Sequence, residues 1–293
     1  MLCTWRCRPI RYDFDPTGFE LIRGKQPHAL LDRHPDGIFV ALQAPDSPLD
    51  RAGIWNVETR RLVWEPEETV ALCWLRGGME AGLIRYVYQH DPERHLGKVV
   101  IASPLQSEHK WSFERWSWPE KQRLRTIQIT SPTGWFSHVV ADPAGGTVAA
   151  LWMEQDCAGV ELIELDRYGD LQVVGRGLQV DSNWVTGPVF SPDGQLLLLF
   201  CGQGDPWWAP GKYDEDAPSP GGTFDFGEVV VYDLKSLARI VIRIPVTLPQ
   251  GWLPRKPWSH QDYLLDEGTF VNSREIELRL PTNEVVTVRV GES

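Results

Sequence analysis

The sequence has little that would place it in or across a membrane. Its unbroken aliphatic run from Leu196 to Phe200 falls far short of the ~20 residues that a helical span needs. The N-terminus, Met1 to Arg8, has no apolar stretch, so no secretory signal is expected. Basic charge is scarce as well. Twenty-nine Lys and Arg against 40 Asp and Glu leave a net charge of −11, which argues against a nucleic-acid-binding surface. The cysteines are few and odd in number: Cys3, Cys7, Cys73, Cys157 and Cys201 make no disulfide framework, and a cytoplasmic location is favoured. Cys3 and Cys7 are spaced as a weak metal pair with no second pair to complete it. Cys73 and Cys201 sit in apolar runs and read as small buried residues. What remains is an acidic globular chain of 293 residues, 42% hydrophobic and without the charge excess of a disordered one.

Long helices are also missing. Twenty-three prolines and 26 glycines interrupt the whole length, and no segment carries a sustained i, i+3, i+4, i+7 apolar stripe. The apolar segments are short and alternate. Gly53-Ile-Trp-Asn-Val-Glu58, Gly227 to Leu234 and Arg274 to Leu280 each predict a strand of about five to seven residues. Pro-Asp-Gly, Pro-Thr-Gly and Asp-Pro turns close them. The fold class is all-β.

These strands repeat. His34-Pro-Asp-Gly37 and Ser191-Pro-Asp-Gly194 are turns flanked by apolar strands, and Asp142-Pro-Ala-Gly145 has the same shape. Downstream of each comes a second hairpin: Ile54-Trp-Asn-Val57, Gly159 to Val174 and Val231-Tyr-Asp-Leu234 share one plan, and Arg274 to Val290 follows it loosely. Two hairpins in tandem make a four-stranded unit that can bury its faces only against the next such unit. That is the logic of a β-propeller. The expected blades cover 30–66, 68–130, 135–175, 184–246 and 258–290 within a single domain, 1–293. Five blades are expected, with six as the alternative. Residues 8–23 add a further strand–turn–strand that pairs with the last blade or begins a sixth.

Phe190-Ser-Pro-Asp-Gly-Gln-Leu-Leu197 and Ile54 to Val63 resemble the first- and third-strand signatures of the WD40-like repeat superfamily. Val231-Tyr-Asp-Leu234 stands where that family often carries a Trp-Asp pair. No Gly-His pair is present. The resemblance implies an interaction scaffold more often than an enzyme.

Tryptophan is abundant, at 14 residues. Those in strands, such as Trp55, Trp74 and Trp152, read as wedge-filling core, and Trp111, Trp116 and Trp118 form a further cluster. Trp207 and Trp208 differ, because they lie in the clearest insertion of the chain, 202–228. That segment holds Asp205, Asp214, Glu215, Asp216, Asp225 and Glu228 against Lys212 alone. Trp207, Trp208, Tyr213, Phe224 and Phe226 supply apolar anchors, and Asp214, Glu215 and Asp216 an acidic rim. Long irregular loops carry function or are tolerated insertions. A desolvated aromatic centre inside an acidic rim suits a basic protein or peptide partner.

The candidate chemistry elsewhere reads as structural. The acidic run Asp214–Asp216 has no EF-hand spacing. His90 and His95 flank Pro92, which prevents the helical face of a metalloprotease site. Asp15, Asp36, Asp142 and Asp193 fall in turns, where Asp caps backbone N–H groups. A nucleophile elbow, a P-loop and a dinucleotide fingerprint are absent from the sequence, so no catalytic residue, metal or cofactor is assigned. The expected function is therefore a noncatalytic scaffold. The alternative is a carbohydrate- or small-molecule-binding, or hydrolytic, propeller with carboxylates converging at a central channel.

Overall fold

The computed structural model describes residues 29–44, 51–87, 110–129, 135–153, 158–165, 170–180, 185–201, 226–245, 267–280 and 284–291. Among the described residues the chain is strand and turn, apart from one short 3-10 turn at Arg76–Gly78. The fold is an all-β propeller, built of antiparallel meanders whose strand order in space follows the order in the chain. Two compact units divide it, one of Ile10–Gln155 with Gly159–Leu178, the other taking in Gln179–Ser293.

The first unit holds three four-stranded sheets. They are β1 (Ala29–Arg33), β2 (Phe39–Ala44), β3 (Arg51–Asn56) and β4 (Arg61–Trp64); β5 (Thr69–Leu75), β6 (Glu80–Val87), β7 (Lys110–Ser117) and β8 (Arg123–Ile129); and β9 (Trp135–Ala141), β10 (Thr147–Met153), β11 (Ala158–Leu165) and β12 (Leu171–Val180). The first strands β1, β5 and β9 pack beside one another. The second unit holds β13 (Val185–Phe190), β14 (Leu196–Cys201), β15 (Phe226–Asp233) and β16 (Ala238–Pro245), then a sheet of three described strands, β17 (Glu267–Phe270), β18 (Glu275–Arg279) and β19 (Val285–Arg289). Residues 8–23, expected to pair with the last blade or to begin a sixth, lie outside the described residues.

Burial grades across each sheet, and the sequence shows why. β5 and β14 are buried along their whole length and read as continuous apolar runs, Thr-Val-Ala-Leu-Cys-Trp-Leu and Leu-Leu-Leu-Leu-Phe-Cys. The fourth strands β8 and β16 alternate polar and apolar, with one face turned to water.

One turn recurs between first and second strands. Gly37, Gly145 and Gly194 take φ of +76°, +71° and +70°, the left-handed conformation that glycine adopts without a Cβ clash. Their N–H groups donate to the carbonyls of His34, Asp142 and Ser191, each at 2.9 Å. The aspartates cap these turns: Asp36 Oδ1 accepts the Ile38 N–H at 2.7 Å, Asp142 Oδ1 that of Gly146 at 2.7 Å, and Asp193 Oδ1 that of Gln195 at 3.1 Å. A second bond then ties each turn to the end of the third strand: Val57 N–H to Ile38 O, Trp118 to Met79, Leu165 to Gly146, Leu234 to Gln195 and Val290 to Arg274. All five described sheets share it. Sheets whose turn residues differ as much as Arg76-Gly-Gly-Met79 and Ser191-Pro-Asp-Gly194 are therefore one repeat.

Asp193 measures the worth of such a turn. Burial alone would raise its carboxyl, but bonds from the Ser191 hydroxyl, the Gln195 N–H and Ser273 hold it below its ordinary value. Asp193→Ala is expected to cost about 1 kcal/mol, for lost turn bonds only, and to shift the melting temperature by roughly 2–4 °C in a calorimetric scan.

Candidate functional site

The insertion between β14 and β15 is fixed at its base. The two strands pair in unbroken register from Leu196↔Asp233 to Cys201↔Glu228. The chain therefore leaves β14 at Cys201 and re-enters one strand spacing away, about 5 Å. β15 begins at Phe226, so the strand takes the last three residues of the expected 202–228 loop. Phe226 is a strand residue in register with Pro245, not a loop residue. The reason is pairing: β16 continues to Pro245 and offers backbone partners to that point. Trp207, Trp208, Tyr213, Asp214, Glu215, Asp216 and Phe224 lie outside the described residues.

At the base, Glu228 accepts a bond from Arg243 Nε at 3.0 Å, across β15 and β16. Cys201 is 2% exposed, and burial pushes its thiol up to about 12, with the nearby Glu228 charge adding to the effect. It stays a thiol at neutral pH and is no nucleophile. Cys73 is likewise buried and pushed well up, by burial first and then by Asp32. Cys3, Cys7, Cys157, Asp15, His90 and His95 lie outside the described residues.

In the first unit the tryptophans pack. Trp74 and Trp118 join Ala41, Ile54, Leu72 and Leu83 in a core between the first two sheets. Trp118 lies edge-on to Trp74 at 5.3 Å and to Phe39 at 5.2 Å, and Trp64 meets Trp116 at 5.3 Å. Trp111 packs on Phe136 across the second and third sheets. Trp55 and Trp152 are buried too.

Three polar clusters in this unit escape sequence reasoning. Glu114 on β7, 3% exposed, accepts from Trp116 Nε1 at 2.9 Å and lies 3.3 Å from Arg85 Nη1 and 3.5 Å from Arg123 Nη1. Glu80 on β6 is gripped by Arg115 on β7, Nε to Oε2 at 2.7 Å and Nη2 to Oε1 at 2.8 Å. The third is Asp32 with His34 on and just after β1, reaching Trp74 and Gly78. The available signal was a charge within or at the end of a largely apolar strand, as in Leu30-Leu-Asp-Arg33. It marks a buried partner without naming it. His138 on β9 is pushed down to about 4 by burial, so its ring is neutral at pH 7. Among the described residues no group of three metal-ligating side chains converges. No described helix is long and apolar enough to cross a membrane.

No protein-family model and no curated protein matches the chain. Solved structures do resemble it. Kuenenia stuttgartiensis hydrazine synthase superposes with a TM-score of 0.50 at 13% identity, over 89% of this chain and 64% of that one. The β-propeller domain of Myceliophteria thermophila Cps50 (Swd1) gives 0.48 at 13% identity, over 92% and 67%. Pyrococcus horikoshii acylaminoacyl peptidase gives 0.44 at 12%, over 90% and 39%. The chain spans 64% of the hydrazine synthase chain and 55% of Acinetobacter baumannii TolB. At such identity the likeness is one of fold alone: the chain is a β-propeller.

Proposed function

We propose that this protein is a noncatalytic propeller scaffold that binds a protein or peptide partner through the insertion between β14 and β15. The observation that carries the reading is the unbroken β14–β15 register up to Cys201↔Glu228. The sheet is complete without the insertion, so 202–225 is chain that the blade does not require. Its composition then decides what it suits. Trp207, Trp208, Tyr213 and Phe224 supply aromatic side chains and Asp214, Glu215 and Asp216 negative charge within the same segment, a composition that favours a basic partner through steering and apolar anchoring. Phe226 stands in β15, where the segment rejoins the sheet.

Six of the described acids support the same reading: Asp36, Asp142 and Asp193 cap turns, and Glu80, Glu114 and Glu228 hold arginines. The test is the double variant Trp207→Ala/Trp208→Ala, compared with wild type in affinity capture from the source cell and in a thermal melt. Capture of a discrete partner is expected to be lost while the melting temperature barely moves. A fall of several degrees with capture intact would show that these indoles cap the fold instead. Raising the salt should weaken wild-type capture if the partner is basic.

A further inference from the structure

The last sheet is one strand short of the others. In each described sheet a backbone bond joins the first turn to the end of the third strand, and here it runs from the Val290 N–H to the Arg274 carbonyl. β19 is thus a third strand. The other four sheets carry a fourth strand beyond it, and among the described residues this one does not. Exposure agrees. The third strands β3, β7, β11 and β15 are buried through their centres, whereas β19 alternates and its Val285 is 50% exposed. Val286 and Val288 still pack against the core of the second unit, so β19 is held in place with one edge of backbone groups open.

The fourth strands share a composition. β4, β8, β12 and β16 carry Arg61, Arg123, Arg125, Arg176, Arg239 and Arg243 and no Asp or Glu, in a chain with 40 acids. Charge of one sign on an outer strand discourages pairing with another chain. In β16 the arginines alternate with an apolar row: Ile240, Ile242 and Ile244 pack on the core, and Pro245 ends the strand. Residues 2–8, which lie outside the described residues, have the same plan. Cys3, Trp5 and Cys7 alternate with Thr4, Arg6 and Arg8, no acid is among them, and Pro9 follows. Residues 10–23 carry Asp13, Asp15 and Glu20 instead. Met1–Pro9 also belong to the second unit, with β17 to β19, whereas Ile10 begins the first.

We propose that residues 2–8 dock on the open edge of β19 as the fourth strand of the last sheet. They run antiparallel to β19, as every described pair does. Cys3, Trp5 and Cys7 extend the core row of Val286 and Val288, and Arg6 and Arg8 face water. The proposal is independent of the partner-binding reading. It also gives the two cysteines a task that is not metal binding. Four residues apart on an extended strand, Cys3 and Cys7 stand about 13 Å from each other, too far to share an ion or form a disulfide.

The test starts with the wild-type full chain. Native protein is treated with a maleimide, the labelled peptides are identified by mass, and deuterium uptake is followed over residues 285–289. Docked, Cys3 and Cys7 should react about a hundredfold or more slower than in denaturant, and the β19 amides should be protected like those of β15. Thiols that react as fast as in denaturant would overturn the proposal, whatever the variants do. Trp5→Glu puts a charge on the core row and should speed labelling and β19 exchange by about tenfold or more, while β13 to β16 stay protected. Arg6→Glu, on the water row, should leave both rates near wild type. Equal effects of the two substitutions would overturn the assigned facing and with it the docking. Sedimentation supplies the last arm: protection found only in a dimer would put residues 2–8 of a second copy on the edge, and would overturn docking within one chain.

Discussion

Replacing Arg115 with Met should lower the melting temperature by roughly 6–15 °C, from a loss of about 3–5 kcal/mol. Arg115 is 4% exposed and Glu80 9%, and two parallel N–H···O bonds of 2.7 and 2.8 Å join them between β7 and β6. Removing the guanidinium leaves a carboxylate in a site that water barely reaches. Its other cation, Arg76 Nη1, stands 3.6 Å away and is too long for a good bond. Most of the loss is the cost of the stranded charge and not the worth of the pair itself. The double variant Glu80→Met/Arg115→Met should therefore recover most of the stability, since apolar side chains of similar volume replace such pairs at little cost. Melts of the two singles and the double make the cycle. A double variant as unstable as the single would locate the loss in packing.

The sequence and the structure agree best where a local rule decides the conformation. The Pro-Asp-Gly turns at 34–37 and 191–194 are visible because one position needs left-handed φ and another needs an acceptor, and Gly and Asp satisfy them. The third-strand pattern is visible for the same kind of reason. In Ile54-Trp-Asn-Val57 and Val231-Tyr-Asp-Leu234, Asn56 and Asp233 each cap the next turn, with Arg60 and Leu237 four residues later at φ of +55° and +57°. These cues repeat in different sheets, so the four-stranded unit could be read from them. The buried clusters were hidden because their partners come from distant strands. Nothing near Asp32 in sequence announces that it bonds Trp74, 42 residues away, nor does Glu80 announce Arg115. Periodicity says which face of a strand is buried and is silent on what lies opposite. Phe226 illustrates the converse. Its loop-like neighbours suggested an insertion residue, while the length of β16 determined that it pairs.

Phe200→Ala should be as destabilising as the loss of Arg115, at about 3–5 kcal/mol, and for an apolar reason. Phe200 is fully buried on β14, in a core with Leu196, Leu198, Val229, Val231, Phe270 and Leu278. The neighbouring sheet makes room for it: a Cβ on Gly268 would come within 3.2 Å of the Phe200 ring. Truncation leaves a cavity that β14 and β17 cannot close, because β14 is held by β13 and β15 on its two sides. The residue is one position from the base of the insertion, which makes it a control for the tryptophan pair. Below its lowered melting temperature the Phe200→Ala protein should still capture the partner, whereas Trp207→Ala/Trp208→Ala should melt like wild type and capture nothing. A melting temperature within a degree of wild type would refute the packing account of Phe200. Lost capture in a folded Phe200→Ala protein would assign the binding to the blade and not to the insertion.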